Sequence, residues 1–424
     1  MRIALNFRRI DPTKGGAETY VVDLIHRLVR AGHEVAVYAE SCRGGLLPPG
    51  ATFHPIAAPG WFRPQQTWNF ARNSERALIR AEAADQFDVS LGLINTWHHD
   101  VLIPQGGVHG ASLDFNARRF AAGCRRGLYR LGKRINPKSW VYAAIEARQY
   151  DPHTGAKRVV AVSSMVRGHL EHYHGVAPDR ITVIPNAIDA GRLLMDDPAG
   201  ARASLRAELG LAADATLGLF VGHNYELKGL RPLLRGLRHR LDRDPRAKPI
   251  HLLACGGGKP QAFQALTRRL GLEAVVHFLG FQPDIRPCFH ASDFFASPTY
   301  YDPCSLVVFE ALACGLPVIT TACNGAGEQV TPGREGFVVP HPDALGPLAD
   351  ALDRMTDRPT RRRMADAAIR LGLEQSMDRH VTRLIAVLGQ VAETRQARRG
   401  TLRPHIGSLA TDGPRMKHGS DKIC

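Results

Sequence analysis

The sequence predicts an α/β protein of two doubly wound domains facing a common cleft, and three observations carry that expectation. Short apolar runs alternate with amphipathic segments over the first half of the chain and again over the second; strand–helix–strand units of this kind need a crossover and imply parallel sheets. Glycine-bearing turns follow the first strand of each half, "KGG" in one and "GHNYELKG" in the other. With 424 residues, 44% hydrophobic and 22% charged, the chain is globular in composition and too long for one ordinary core.

The elements follow in order. A strand spans Arg2 to Asn6, and after the loop "RRIDPTKGG" comes the helix "AETYVVDLIHRLVRAG". There Tyr20, Val21, Leu24, Ile25 and Leu28 recur at helical spacing, and Gly32 stands where a C-terminal cap belongs. "HEVAVYA" then reads as a buried strand, and the alternation continues through "FDVSLGL" and "RVVAVSS" to the connector "ITVIPNAIDAGRLL". More polar sequence over 195–213 separates the halves. The second half runs "ATLGLFVG", a helix from about Leu230, "IHLLACG", a helix from about Pro260, "VVHFLG", "DFFASP", a helix across Val308 to Cys314, and "LPVITT". The expected organisation is a Rossmann-like domain over 1–195, a second over 196–375, a helix over 376–394 returning toward the first domain, and a basic tail over 395–424. Ligands of such sheets bind beyond the carboxyl ends of the strands, here in the cleft.

The formal net charge of +15 points to an anionic partner: nucleic acid, an acidic membrane surface or phosphorylated substrates. The eight cysteines form no C-x-x-C pair, and no signal peptide is read ahead of the first strand, which argues against a zinc site and a secreted disulfide framework. No apolar run approaches the roughly 20 residues of a membrane span. The expected location is the cytoplasm, at most on the inner face of the membrane. Histidine clusters in "WHHD" and "HLEHYH" lack further ligands at metal spacing and read as structural or surface groups. "CGGGKP" lacks the P-loop pattern.

Four stretches carry candidate chemistry. In "ASPTYYDPCSLVVFE" a strand gives way to a helix, so Cys304, Ser305 and Leu306 lie at a helix N-terminus, where free amides and the macrodipole hold anions such as a diphosphate. Asp302 precedes that helix and Glu310 lies inside it, eight positions on; read alone they are a turn former and a surface acid. "KGGAE" places Gly15 and Gly16 between strand and helix, where backbone can approach a phosphate. In "GHNYELKGL", Lys228 follows a strand and would neutralise a leaving diphosphate, although Lys-Gly is commonly a solvated turn. "PQGGVHGASLD" presents His109 in a glycine-rich setting before a basic segment.

These stretches together resemble the retaining GT-B glycosyltransferases of family 4. The pair Asp302/Glu310 resembles that family's E-x7-E motif, and "ALACGLPVITTACNGAGEQVTPGREGFVV", with Glu328, resembles the segment after it. The Gly-Gly-Ala-Glu turn, the position of Lys228 and a first-domain histidine are similar as well. Asp302 departs from the family's usual Glu and has about 1.3 Å less reach. Where relatives commonly carry an arginine before the lysine, this chain offers His223, Asn224 and Glu226.

The resemblance implies a GT-B fold and transfer of a hexose or similar sugar from a nucleotide-diphosphate donor with retention, without metal or other cofactor. Lys228, Gly15, Gly16, His223 and the amides of Ser305 and Leu306, beside Cys304, would hold the diphosphate. Glu310 would hold the ribose, Asp302 and His109 the sugar, and Phe281 the base. The acceptor is expected to be a glycan or lipid-linked, with the "QGGVHG" pattern and the following insertion similar to enzymes that extend the lipopolysaccharide core. That insertion, 115–148, mixes Arg118, Arg119, Arg125, Arg126, Arg130, Lys133, Arg134, Lys138 and Arg148 with Phe115, Phe120, Leu128, Tyr129, Leu131, Trp140 and Tyr142. It suits an anionic leaflet, or else is a solvated helical face. Two other readings stand beside this one: an epimerase or phosphorylase on the same fold, and a non-catalytic or nucleic-acid-binding protein, for which no aromatic-basic RNA motif or helix-turn-helix is present.

Overall fold

Seven parallel strands build the first sheet: β1 (Arg2–Asn6), β2 (Glu34–Ala39), β3 (Ala51–Pro55), β4 (Val89–Gly92), β5 (Val101–Leu102), β6 (Arg158–Ala161) and β7 (Ile181–Val183), in the spatial order β3-β2-β1-β4-β5-β6-β7. Six build the second: β8 (Thr216–Val221), β9 (Ile250–Cys255), β10 (Val276–Gly280), β11 (Phe294–Ala296), β12 (Val318–Thr321) and β13 (Gly336–Val339), in the order β10-β9-β8-β11-β12-β13. In each sheet the winding reverses beside the first strand, β1 or β8, and the crevice for a ligand opens at that switch point. The computed structural model describes residues 1–120 and 123–401.

The central strands are largely apolar and buried because helices cover both faces of a parallel sheet. In β1, Ile3, Ala4, Leu5 and Asn6 are all fully buried. Helix α1 (Gly16–Arg30) lays Tyr20, Val21, Leu24, Ile25 and Leu28 against this sheet, and the chain leaves it through Gly32 in the left-handed region, φ +82°. Each such buried aliphatic side chain stabilises by roughly 1.5–3 kcal/mol. Leu24→Ala would leave a cavity costing about 2–5 kcal/mol.

The basic region is helical. Helix α2 (Arg63–Ala83) packs along α5 (Pro137–Tyr150), with α3 (His109–Ala117) and α4 (Cys124–Arg134) beside them. No described residue of α4 is buried, so its apolar side chains face outward with its arginines. Helix α6 (Ser164–His174) follows β6, and in the second domain α7 (Leu230–Arg243) follows β8 and α8 (Leu306–Ala313) follows β11.

The chain crosses between the sheets twice at one place. Ile188 N–H donates to the Gln375 carbonyl (2.9 Å), and Met377 N–H donates to the Ile188 carbonyl (3.0 Å). The buried His380 ring bridges the crossing, with Nδ1 2.8 Å from the Pro185 carbonyl and Nε2 2.7 Å from the Tyr20 hydroxyl. Helix α9 (Met377–Thr401) then packs on α1.

Two expectations are corrected here. The last helix does not end at 394 and the tail does not begin at 395: α9 continues to Thr401. The reason is Arg395, buried where its guanidinium pairs with Asp100 and Glu82, each at 2.8 Å, and lies over the Phe87 ring. The rest of the expected tail, 402–424, lies outside the described residues.

Candidate active site

The site grows from four loops at the carboxyl ends of β1, β5, β8 and β11. The loop after β8 bends through Gly222 and Gly229, the latter at φ +86° with its Cα against the Pro298 carbonyl, where a side chain has no room. This bend brings Lys228 to the next loop, where its ammonium donates to Asp302. Asp302 is buried and Lys228 partly so, which gives the pair more weight than a surface ion pair.

Asp302 is fixed from both sides. Its N–H donates to the Cys323 carbonyl (3.0 Å), and its own carbonyl accepts from Gly325 N–H (2.9 Å). The next residues lean on the first domain: Ser163 Oγ donates to the Pro303 carbonyl and Asn186 Nδ2 to the Cys304 carbonyl, each at 2.8 Å. Val108 N–H donates to the Tyr301 hydroxyl (3.1 Å), and the Tyr301 ring lies against Phe115 and His169. Gly107, at φ +70°, leaves the space that this hydroxyl fills.

Helix α8 then starts at Leu306, with Ser305 as its N-cap. Ser305 N–H is not free for a ligand, as expected above, because it donates to Asn324 Oδ1 (3.2 Å). The amide contribution from this loop therefore falls to Leu306 and the rest of the first helical turn. Gly16 faces that turn across the cleft; a Cβ on it would stand 3.2 Å from Leu306 Cδ1. Gly15 caps α1 with its carbonyl accepting from Thr19 N–H (3.2 Å), and the Glu18 carboxylate folds back over it. Burial holds Glu18 above the ordinary carboxylate range, Asp11 adds to this and His223 opposes it. His223 lies against Gly257 in the second domain, where a Cβ would stand 3.3 Å from its Nδ1.

Glu310 is half-buried, and burial pushes its carboxyl up to about 7, with Arg192 opposing and the Asp23 charge adding. Arg192 pairs with Asp23 of α1. Neither of these two was expected near the site; they come from the connector and from a helix interior, and no local pattern marks them. Glu226 is held by Arg231, at 2.8 Å, instead of leaving a cation free in that loop.

His109 begins α3. Its N–H is shared by both carboxylate oxygens of Glu146 (2.9 and 3.0 Å), while its Nε2 is buried without a partner among the described residues. Burial lowers its pKa, partly offset by Glu146. Phe281, just past β10, is 59% exposed. Of the "WHHD" histidines, His98 pairs with Glu82 (2.6 Å), and His99 is buried against Gly92, its pKa lowered to about 3 by burial.

Glu328 makes a contact that ties the domains together. Its carboxylate accepts from Ser164 N–H (2.8 Å) and Met165 N–H (2.6 Å), capping α6 of the first domain from the second.

Residues 14–192 match the family described as Glycosyltransferase Family 4, and residues 215–358 match Glycosyl transferases group 1. A D-inositol 3-phosphate glycosyltransferase of Frankia alni is 29% identical over 380 residues, covering 84% of this chain and 89% of that protein. Among solved structures, WaaG, a glycosyltransferase involved in lipopolysaccharide biosynthesis, superposes with a TM-score of 0.72 at 21% identity, covering 91% of this chain and 99% of WaaG. HepE of Anabaena, solved with UDP and glucose, gives a TM-score of 0.61 at 19% identity, covering 94% and 100%.

Proposed function

The chain is a GT-B glycosyltransferase, and we propose that it moves a hexose from a nucleotide-diphosphate donor to a glycan or lipid-linked acceptor with retention of anomeric configuration. The observation that carries the proposal is the Lys228–Asp302 pair beside the N-terminus of α8, opposite the Gly15–Gly16 turn. A diphosphate in that gap meets an ammonium, helix amides and two glycines that let backbone come close.

In the reaction the bond between the anomeric carbon and the donor's β-phosphate oxygen breaks. The acceptor oxygen bonds to the same face, and the acceptor hydroxyl proton passes to the departing phosphate. Lys228 and the start of α8 stabilise the growing phosphate charge, a task that needs no metal. Asp302 and His109 orient the sugar, and Glu310 takes the ribose. Contacts from both domains exclude water when the cleft is closed.

The acceptor side is the first domain. Frankia's relative is named for inositol 3-phosphate and WaaG for lipopolysaccharide biosynthesis, and the second supports a glycan or lipid-linked acceptor, the class we favour. Its support here is α4 and its neighbours, where Leu128, Leu131, Ile135 and Trp140 are exposed among arginines and lysines. This face suits peripheral attachment to an anionic leaflet, on the cytoplasmic side; among the described residues no helix is long and apolar enough to cross a membrane. The test is release of nucleoside diphosphate from a nucleotide sugar in the presence of a lipid-linked glycan fraction. Acceptor-dependent release by the wild type and its loss in Lys228→Ala support transfer, whereas epimerised donor without release indicates the epimerase reading.

A further inference from the structure

We propose that the cavity behind His109 receives the acceptor as a neutral polyhydroxylated ring, and that Glu146 makes the site reject a phosphorylated one. The inference rests on the transferase reading and adds the acceptor's chemical class. The cavity, of about 180 Å³, is lined by Asn95, His109, Ser112, Tyr142, Glu146 and Gln149 among others. That is smaller than the roughly 300–1,000 Å³ of sites for drug-sized ligands and suits a single ring. Its wall at Gly106–Gly107 backs onto Tyr301, which precedes Asp302 in the sequence, and His109 belongs both to this lining and to the candidate sugar site.

The lining chemistry is what selects the ligand. Hydroxyl, amide, imidazole and carboxylate groups converge, and among the described residues no Lys or Arg lines the cavity. His109 Nε2 is buried there without a partner among the described residues, a polar atom that a ligand hydroxyl would satisfy. Glu146, the one carboxylate among the described lining residues, is held by His109 N–H on both oxygens and by His174 Nε2 at 3.2 Å. A fixed carboxylate is an acceptor-only group, to which paired ring hydroxyls donate. The same charge repels phosphate in a site that water screens poorly. Lys133 and Lys138 lie outside the lining, where their charges help lower the His109 pKa and Lys138 Nζ sits 5.7 Å from the centroid of the Tyr142 ring.

The experiment is calorimetric titration of the full chain, loaded with nucleoside diphosphate, against myo-inositol and methyl glucoside and against their monophosphates. We expect the neutral rings to bind, the phosphorylated ones at least tenfold more weakly, and the gap to narrow in Glu146→Gln because the phosphorylated rings gain. Ser112→Lys, which brings a cation into the same cavity, should turn the preference toward phosphate even if Glu146→Gln folds poorly. Tighter binding of the monophosphates by the wild type, no binding of either class, or a gap unmoved by both variants overturns the proposal. Binding of the nucleotide sugar itself is measured in parallel: its absence removes the transferase reading, while its presence without ring binding removes only this one.

Discussion

Lys228 donates to Asp302 across two loops that the chain reaches 74 residues apart, and this contact joins the candidate phosphate site to the candidate sugar site. The pairing means that neither residue acts alone. Lys228→Ala should lower transfer about 10²–10³-fold, the scale of losing one preorganised electrostatic group, while leaving the fold intact. Steady-state kinetics with matched thermal melts check this; undiminished turnover in a folded variant removes Lys228 from the site.

Glu310 makes the site sensitive to pH. Burial raises its carboxyl to about 7, so the stability drawn from its neutral form is full below the ordinary carboxyl value and is lost as pH rises through about 7. Its ribose-accepting form appears over the same window. Donor affinity should therefore increase from about pH 6 to about pH 8, and Glu310→Gln should flatten that rise. Titrations at the two pH values decide it; a wild-type affinity that falls or stays level contradicts the assignment.

Glu328 caps a helix of the other domain, so its loss should loosen the closed arrangement as well as uncap α6. Glu328→Ala should cost on the order of 1 kcal/mol, as for other helix caps, and widen the cleft. Small-angle scattering of the free protein measures the second effect. An unchanged radius of gyration and melting temperature would show that the contact holds nothing.

Arg395→Ala removes one partner of a buried ionic cluster and leaves Asp100 with Lys157, at 2.6 Å, as its cation among the described residues, beside the Ser90 hydrogen bonds. We expect a loss of about 3–5 kcal/mol, visible in chemical denaturation. Much smaller losses would mean that water reaches this end of α9.

Charge reversal at Arg125, Arg126 and Arg130 should weaken binding to anionic vesicles by about 1 kcal/mol per residue near the surface. Donor hydrolysis should be spared. Equal sedimentation of wild type and variant with such vesicles counts against the membrane face, and salt-sensitive binding to DNA would favour the nucleic-acid reading.

Much of the architecture is legible in sequence because it follows from period and punctuation. Tyr20, Val21, Leu24, Ile25 and Leu28 repeat at helical spacing, Gly32 ends the helix, and the same logic marks the strands around both glycine turns. Candidate residues were legible where they lie in short motifs, such as Asp302 with Glu310 and Lys228 after β8. What escaped depends on long-range contact. Ser305 N–H is consumed by Asn324, 19 residues away, Glu146 reaches His109 over 37 residues, and Arg395 finds Asp100 over 295. No local pattern encodes such pairs; they exist only once the sheets have placed their loops.

The central claim is a nucleotide-sugar site in the cleft, and the most direct test is a thermal-shift panel with UDP-, GDP-, ADP- and dTDP-sugars on wild type and Glu310→Ala. A ligand that binds only the folded state raises its melting temperature. The account predicts a rise with one nucleotide class that Glu310→Ala abolishes; no rise with any donor, or a rise that Glu310→Ala leaves untouched, would contradict it.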